Sequence, residues 1–309
     1  MKISVVMATY NGGKYLREQL DTIRLQTQGV DELIICDDCS GDDTVGIAER
    51  YISEYGLQES WRVIVNEQNM GYADNFNKVT LMASGDYIFF ADQDDLWLPD
   101  KVEKMVAVME EHEDCVVLCT DYEPMYDGID ASHAPRKIMD KMPDNNLLEK
   151  ITLSPRSVYI GALGCCMCVR RNFYHEISPY WFDGWAQDDR MWRLAQCAEG
   201  CYLLHSNLVR HRIHGNNTAT YGKYHTVEKR VKLFTAMQNA DQAMKKMLED
   251  RGKWKESVMM EKHNRMMEHR IRLIRDRHFA GCIPLLGYLG YYQKVKSYLV
   301  EIGIAVKKK

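Results

Sequence analysis

The sequence predicts an α/β protein, a Rossmann-like and mostly parallel central sheet with helices on both faces, plus a C-terminal helical appendage. Three observations predict it. Over residues 1–120 short apolar strand-like runs alternate with amphipathic helical stretches, the βαβα rhythm of a parallel sheet. Polar residues fall just after the strands, where open sheets of this kind gather ligands. Beyond Gly222 the alternation stops and a Met-rich, basic helical pattern takes over.

In chain order, strands are expected over residues 3–8, 32–37, 62–66, 87–91 and 116–120, with helices between them over 13–26, 42–55, 72–83 and 99–111. Residues 123–155, with Gly128, Pro135, Pro143 and Asn145-Asn146, read as a long loop and an acceptor-side lid. A strand over 162–169, an aromatic segment from Tyr180 to Trp185, a helix over 189–198 and strands near Tyr202 and Leu208 follow. Long helices over 226–278, a break at Pro284, Gly287 and Gly290, and a last helix over 291–306 complete the chain. The expected division is a domain at 1–222 and a basic helical region at 223–309.

With 309 residues, 46% hydrophobic and 27% charged, the chain can bury one or two cores, which excludes a disordered protein. The N-terminal apolar run is too short for a secretory leader, and the stretch 279–292 falls short of the roughly 20 residues of a bilayer span. Six of the ten Cys lie in or beside strand-like runs, as free buried thiols do, which points to a reducing cytoplasm. Residues 1–204 carry 18 Lys and Arg against 35 Asp and Glu, whereas 205–309 carry 22 against 9. The acidic part is a poor surface for nucleic acid, and none is expected as a partner. The basic part reads equally as a membrane-interface element, an oligomerisation element giving a homodimer, or a solvated helix face.

Four constellations carry chemistry. Asp92-Gln93-Asp94-Asp95 follows the buried run Tyr87 to Ala91; carboxylates this crowded call for a hard cation, Mn²⁺ or Mg²⁺ with a diphosphate, whereas a helix cap needs one acid and not three. Asp37 and Asp38 end the second strand, placed to accept from a nucleobase imide or a ribose hydroxyl, while Ser40, Asp42 or Asp43 can cap the next helix. Asp188-Asp189 opens a helix beside Trp185 and Trp192, where desolvation raises basicity and suits a general base. His211 to Thr218 offers an imidazole to a metal and an Arg to phosphate.

Together with Val5 to Gly12, Asn69-Met70-Gly71 and Asn75, these motifs resemble the family 2 glycosyltransferases over residues 1–220. The Asp-Gln-Asp-Asp-Leu-Trp form is most similar to bacterial surface-polysaccharide enzymes, many labelled rhamnosyltransferases. The resemblance implies a GT-A fold and an inverting, metal-dependent transfer of a hexosyl or rhamnosyl group. Its donor is a UDP- or dTDP-sugar and its acceptor a glycan or lipid-linked hydroxyl of a capsule, O-antigen or rhamnan. It implies that Thr9, Asp37 and Asp38 hold the base, that Asp92 faces ribose and metal, and that Asp94 and His214 ligate the metal. Tyr10, Asn11, Asn69, Gly71, Asn75, Gln93 and Arg212 complete the nucleotide-sugar site. Asp189 is the implied base, with Asp188 beside it hard to separate from it. The family more often has Gly where this chain has Cys39. A cytoplasmic enzyme, peripheral at the inner face of the membrane, follows from the same resemblance. The rival is a noncatalytic sugar-nucleotide-binding or scaffold subunit. A nicotinamide-binding protein is disfavoured, because Thr9 to Gly13 lacks the G-x-G-x-x-G turn.

Overall fold

The computed structural model describes residues 1–128, 144–215, 217, 226–277, 280 and 282–306. They form two compact units. The first holds residues 1–151, 162–179 and 186–218, and the second holds 152–161, 180–185 and the helices from 226 on. The expected boundary at 222/223, like Asn216 and residues 129–143, lies outside the described residues.

The first unit is built on β1 (Ile3–Thr9), α1 (Leu16–Arg24), β2 (Glu32–Asp37), α2 (Thr44–Glu54), β3 (Trp61–Val65), α3 (Tyr72–Leu81), β4 (Tyr87–Ala91), β5 (Leu96–Trp97) and α4 (Lys101–Glu111). β6 (Val117–Tyr126), β7 (Leu148–Lys150), β8 (Met167–Arg170), α5 (Arg171–Glu176), α6 (Gln187–Cys197) and β9 (Cys201–Ile213) complete it. The strand order is β3-β2-β1-β4-β8-β6-β9-β5, with β7 also along β9. β3, β2, β1 and β4 are mutually parallel, and every residue of β2 and β4 is buried, as strands covered on both faces must be. α1 turns Leu16, Gln19, Leu20 and Ile23 inward at helical spacing onto the core of Val5, Met7, Leu33 and Phe89.

Four expectations change in this unit. Residues 123–126 are not loop: they extend β6, which pairs in parallel with β9 as far as Tyr126 opposite Ile213. Residues 148–150 are β7, not loop. Tyr202 and Leu208 share one 13-residue strand, because His205 finds a partner in Asp121 at 2.8 Å and the polar His205-Ser206-Asn207 stays in the sheet. The expected strand over 162–169 narrows to four residues, since 164–166 form a 3₁₀ turn.

In the second unit α7 (Val227–Asp250) and α8 (Trp254–Arg275) form a helical hairpin turned at Gly252. Thr226 caps α7, its Oγ1 accepting from the Lys229 N–H at 3.3 Å. α9 (Cys282–Leu286) and α10 (Lys296–Val306) pack on α8. The last helix starts at Lys296 rather than 291, because residues 289–291 form a 3₁₀ turn. Within this unit Asp241 and His263, both fully buried, pair at 2.6 Å, and Arg270 forks onto Glu301.

Candidate active site

The C-terminal ends of β1, β2 and β4 and the end of β9 deliver the site, all within the first unit. At the rim of β1 and β2, Asp37 accepts from Thr9 Oγ1 at 2.8 Å and from Ser40 N at 2.8 Å and Oγ at 2.6 Å. Asp38 Oδ1 accepts from Asn66 Nδ2 and Met70 N, and Oδ2 from Gly71 N, each at 2.8 Å. Asn69 donates to the Asp38 carbonyl, and Asn75 bridges the Cys36 carbonyl and Asn66. The two acids therefore shape the rim with oxygens already engaged by the chain. Gly71, at φ 82°, turns the chain into α3 in the region that favours glycine.

The first turn is drawn over the acidic loop. Gln93 Oε1 accepts from Tyr10 N at 2.9 Å while its Nε2 donates to Tyr10 O at 3.1 Å. A Cβ at Gly12 would stand 2.1 Å from Gln93 Oε1, so the absent side chain there is what allows this closure. Asn11, at φ 50°, donates from its N–H to Ser40 and accepts from Gly41 N, while the Tyr10 side chain stays half exposed.

Next to this rim three acids meet. His214 Nε2 stands 2.8 Å from Asp94 Oδ2, and Asn217 holds His214 through its backbone N–H at 2.6 Å. Asp92 accepts no hydrogen bond among the described residues. Burial, then the charges of Asp95 and Asp94, push its carboxyl up to about 8. Asp95 behaves oppositely. Burial opposes its ionisation, but the imidazolium of His211, 2.9 Å away, and the Arg212 N–H hold it below the usual carboxylate range. His211 rises correspondingly to about 9, burial being outweighed by Asp95. Neither acid caps α4, whose N-cap position is Asp100. Arg212 donates to the Asp94 carbonyl and to Glu18, with its guanidinium 4.5 Å from the Tyr15 ring.

By donor type, the Asp92 and Asp94 carboxylates and the His214 imidazole suit a hard divalent cation, which would offset the burial and the neighbouring charges that raise Asp92. Asp92, Asp94 and His214 are the residues that would hold it. Among the described residues, the group whose ligand atoms all lie within 4.8 Å of one another is a different one, Asp95, Cys165 and His211; all three are buried, and Asp95 Oδ1 pairs with His211 at 2.9 Å while its Oδ2 has no hydrogen-bond partner.

The paired acids of α6 receive different surroundings. Asp189 takes Arg193 Nε on both oxygens, at 2.9 and 2.8 Å. Asp188 accepts the Asp189 N–H; burial first, then the Asp189 charge, raises it to about 6, and its own charge is felt at Asp92. Gly164 packs against the start of α6: a Cβ there would stand 3.0 Å from Gln187 Nε2 and in ordinary contact with Asp188 Cβ at 3.5 Å. Sequence reasoning gave no supporting role to Tyr15, Glu18, Asn66, Arg193 or Asn217, although Tyr15, Asn66 and Asn217 stand within motifs that the sequence singles out. Arg193 left a local signal as well, its four-residue spacing from Asp189 on a helix.

The glycosyl transferase family 2 model matches residues 4–177, more than half of the chain, and the chain belongs to that family. It is 34% identical over 151 residues to the putative glycosyltransferase EpsE of Bacillus subtilis, covering 49% of this chain and 52% of that one. It is 31% identical over 170 residues to the poly(ribitol-phosphate) beta-N-acetylglucosaminyltransferase TarS of Staphylococcus aureus, covering 53% of this chain and 28% of TarS. The matched segments thus span about half, or less, of those relatives. The crystal structure of S. aureus TarS 1-349 in complex with UDP-GlcNAc superposes with a TM-score of 0.62 at 17% identity, over 98% of this chain and 91% of that one. The fold is that of this GT-A structure.

Proposed function

We propose that the chain is an inverting, divalent-metal-dependent glycosyltransferase that moves a hexosyl or rhamnosyl group from a UDP- or dTDP-sugar to a hydroxyl of a glycan or lipid-linked acceptor. Its place is bacterial surface-polysaccharide assembly at the inner face of the membrane. The observation that carries the reading is the gathering of Asp92, Asp94 and His214 at one sheet edge within electrostatic reach of Asp188. TarS, a poly(ribitol-phosphate) beta-N-acetylglucosaminyltransferase, supports sugar transfer to a polymer as the substrate class, and its complex with UDP-GlcNAc makes UDP the first base to test.

In this reading Tyr10, Asn11 and Asn69 line the base and ribose side, and Thr9 and Asn75, buried and hydrogen-bonded within the rim, hold it in place. Asp37 and Asp38 act there by holding the rim they already bond. Gln93 and Gly71 fix the turn, and Arg212 presents positive charge beside the acidic loop. A bound Mn²⁺ or Mg²⁺ supplies compensation for charge on the departing diphosphate. Asp188 takes the proton of the acceptor hydroxyl as the new oxygen–carbon bond forms and the bond from the anomeric carbon to the diphosphate oxygen breaks. Asp188 is preferred over Asp189 because Asp189 is neutralised by Arg193, and Asp189 acts as a positioning residue for the turn. The diphosphate leaves as a stable anion, so one base is enough and the anomeric centre inverts.

Thermal shift against UDP, dTDP, GDP and CDP, each with and without Mn²⁺, tests the donor side. A ligand at 100 times its Kd adds about 2.7 kcal/mol. A metal-dependent rise with one nucleotide, absent in Asp94→Ala, is expected and names the donor. No rise with any nucleotide would transfer the weight to the noncatalytic scaffold.

A further inference from the structure

We propose that α9 and α10 form a docking face for an anionic lipid bilayer. In α10, Tyr298, Glu301 and Ala305 turn inward, leaving Lys296, Leu299, Val300 and Gly303 outward. Leu299 is 65% exposed and Val300 48%, and in α9 Ile283 is 71% exposed and Leu286 53%. Tyr298 OH donates to the Cys282 carbonyl at 3.1 Å, so Ile283 and Leu299 each adjoin a residue of that contact. Unpartnered apolar side chains gathered this way mark an interaction surface.

The charge selects the occupant. Between residues 282 and 306 the charged residues are Lys294, Lys296 and Glu301. Glu301 is fully buried and spent on Arg270, so the exposed charges of the two helices and the segment joining them are positive. From Thr226 onward the sequence carries 19 Lys and Arg against nine Asp and Glu, and it continues from α10 into Lys307-Lys308-Lys309. A second copy would bring like charge against like; an anionic headgroup layer neutralises it. With 11 residues α10 reaches about 16 Å and cannot span the hydrocarbon layer. It lies in the interface, with Leu299 and Val300 below the headgroups and the lysines among them. A lipid-linked acceptor would be met at the same surface, but the inference rests on these helices and not on the transfer reading.

Co-sedimentation of the full chain with phosphatidylcholine vesicles, with and without phosphatidylglycerol, tests it without any use of activity. Binding is expected to rise about 10-fold with phosphatidylglycerol and to fall with added salt. Ile283→Ser/Leu299→Ser/Val300→Ser should reduce it about 10-fold or more with an unchanged melting curve. Lys294→Ser/Lys296→Ser should reduce it on the order of 10-fold. Where the triple variant melts early, Leu299→Gln alone, with a fall of about 3-fold, decides. Equal pelleting on neutral and anionic vesicles, or apolar variants that pellet like the parent chain, would overturn the proposal. So would a dimer that the triple variant dissociates while vesicle binding stays the same.

Discussion

Asp188 and Asp189 are chemically identical neighbours, and their surroundings separate them. An acid raised to about 6 makes the folded state hold its proton more tightly than the unfolded chain, where the ordinary value is 3.8. The ionised form therefore costs stability above about pH 6, and the cost disappears as pH falls toward 4. Asp188→Asn should raise stability at pH 8 by about 1–3 kcal/mol and narrow the difference at pH 4.5, read by urea denaturation at both pH values. The same variant should lower sugar transfer by about 100-fold or more, and the parent's rate should decline below about pH 6. A variant that loses stability and keeps transfer would return the base to Asp189. Cys39 gives a second test. Its φ of 65° lies where glycine is favoured, which accounts for the family's preference at this position, and its thiol contacts the Asn66 carbonyl at 3.0 Å. Cys39→Val should cost about 1–2 kcal/mol and Cys39→Gly within about 0.5 kcal/mol of nothing, compared by thermal melts. The acids of the site were legible as residue types because crowded carboxylates after an apolar strand have few other uses. Their division of labour was not, because it depends on which neighbour reaches which oxygen.

Among the elements, the parallel strands and the helices of the first 111 residues were legible, since each carries its own apolar period and polar ending. The two-residue β5, the β6 extension and the continuity of β9 were not. Each is stabilised by a partner far along the chain: β5 pairs with Val209 and Arg210, and residues 123–126 with 210–213. The Asp95–His211 pair, 116 residues apart, ties the acidic loop to β9 just before Arg212 and His214. Removing one member of a buried pair leaves the other uncompensated. Asp95→Asn should therefore cost about 3–5 kcal/mol in urea denaturation and should weaken nucleotide binding by displacing Arg212. Full stability in that variant would show the pair to be dispensable to the β9 connection.

The whole molecule divides its charge as it divides its chemistry. The acidic first unit concentrates carboxylates at the edge where the parallel strands end, an arrangement unfavourable by itself and suited to a divalent cation and a diphosphate. The second unit carries the basic excess on a helical hairpin and two shorter helices. Composition made that asymmetry legible, but the allotment of residues 152–161 and 180–185 to the second unit required the fold. Under the proposed function, Asp94, with Asp92 and His214, would assemble a metal–nucleotide site. Titration of Mn²⁺ into the full chain with saturating UDP, followed by the electron paramagnetic resonance signal of free Mn²⁺, tests it most directly. A single equivalent of Mn²⁺ taken up in the presence of UDP and lost in Asp94→Ala is expected; identical free Mn²⁺ signals for the two proteins would contradict the site.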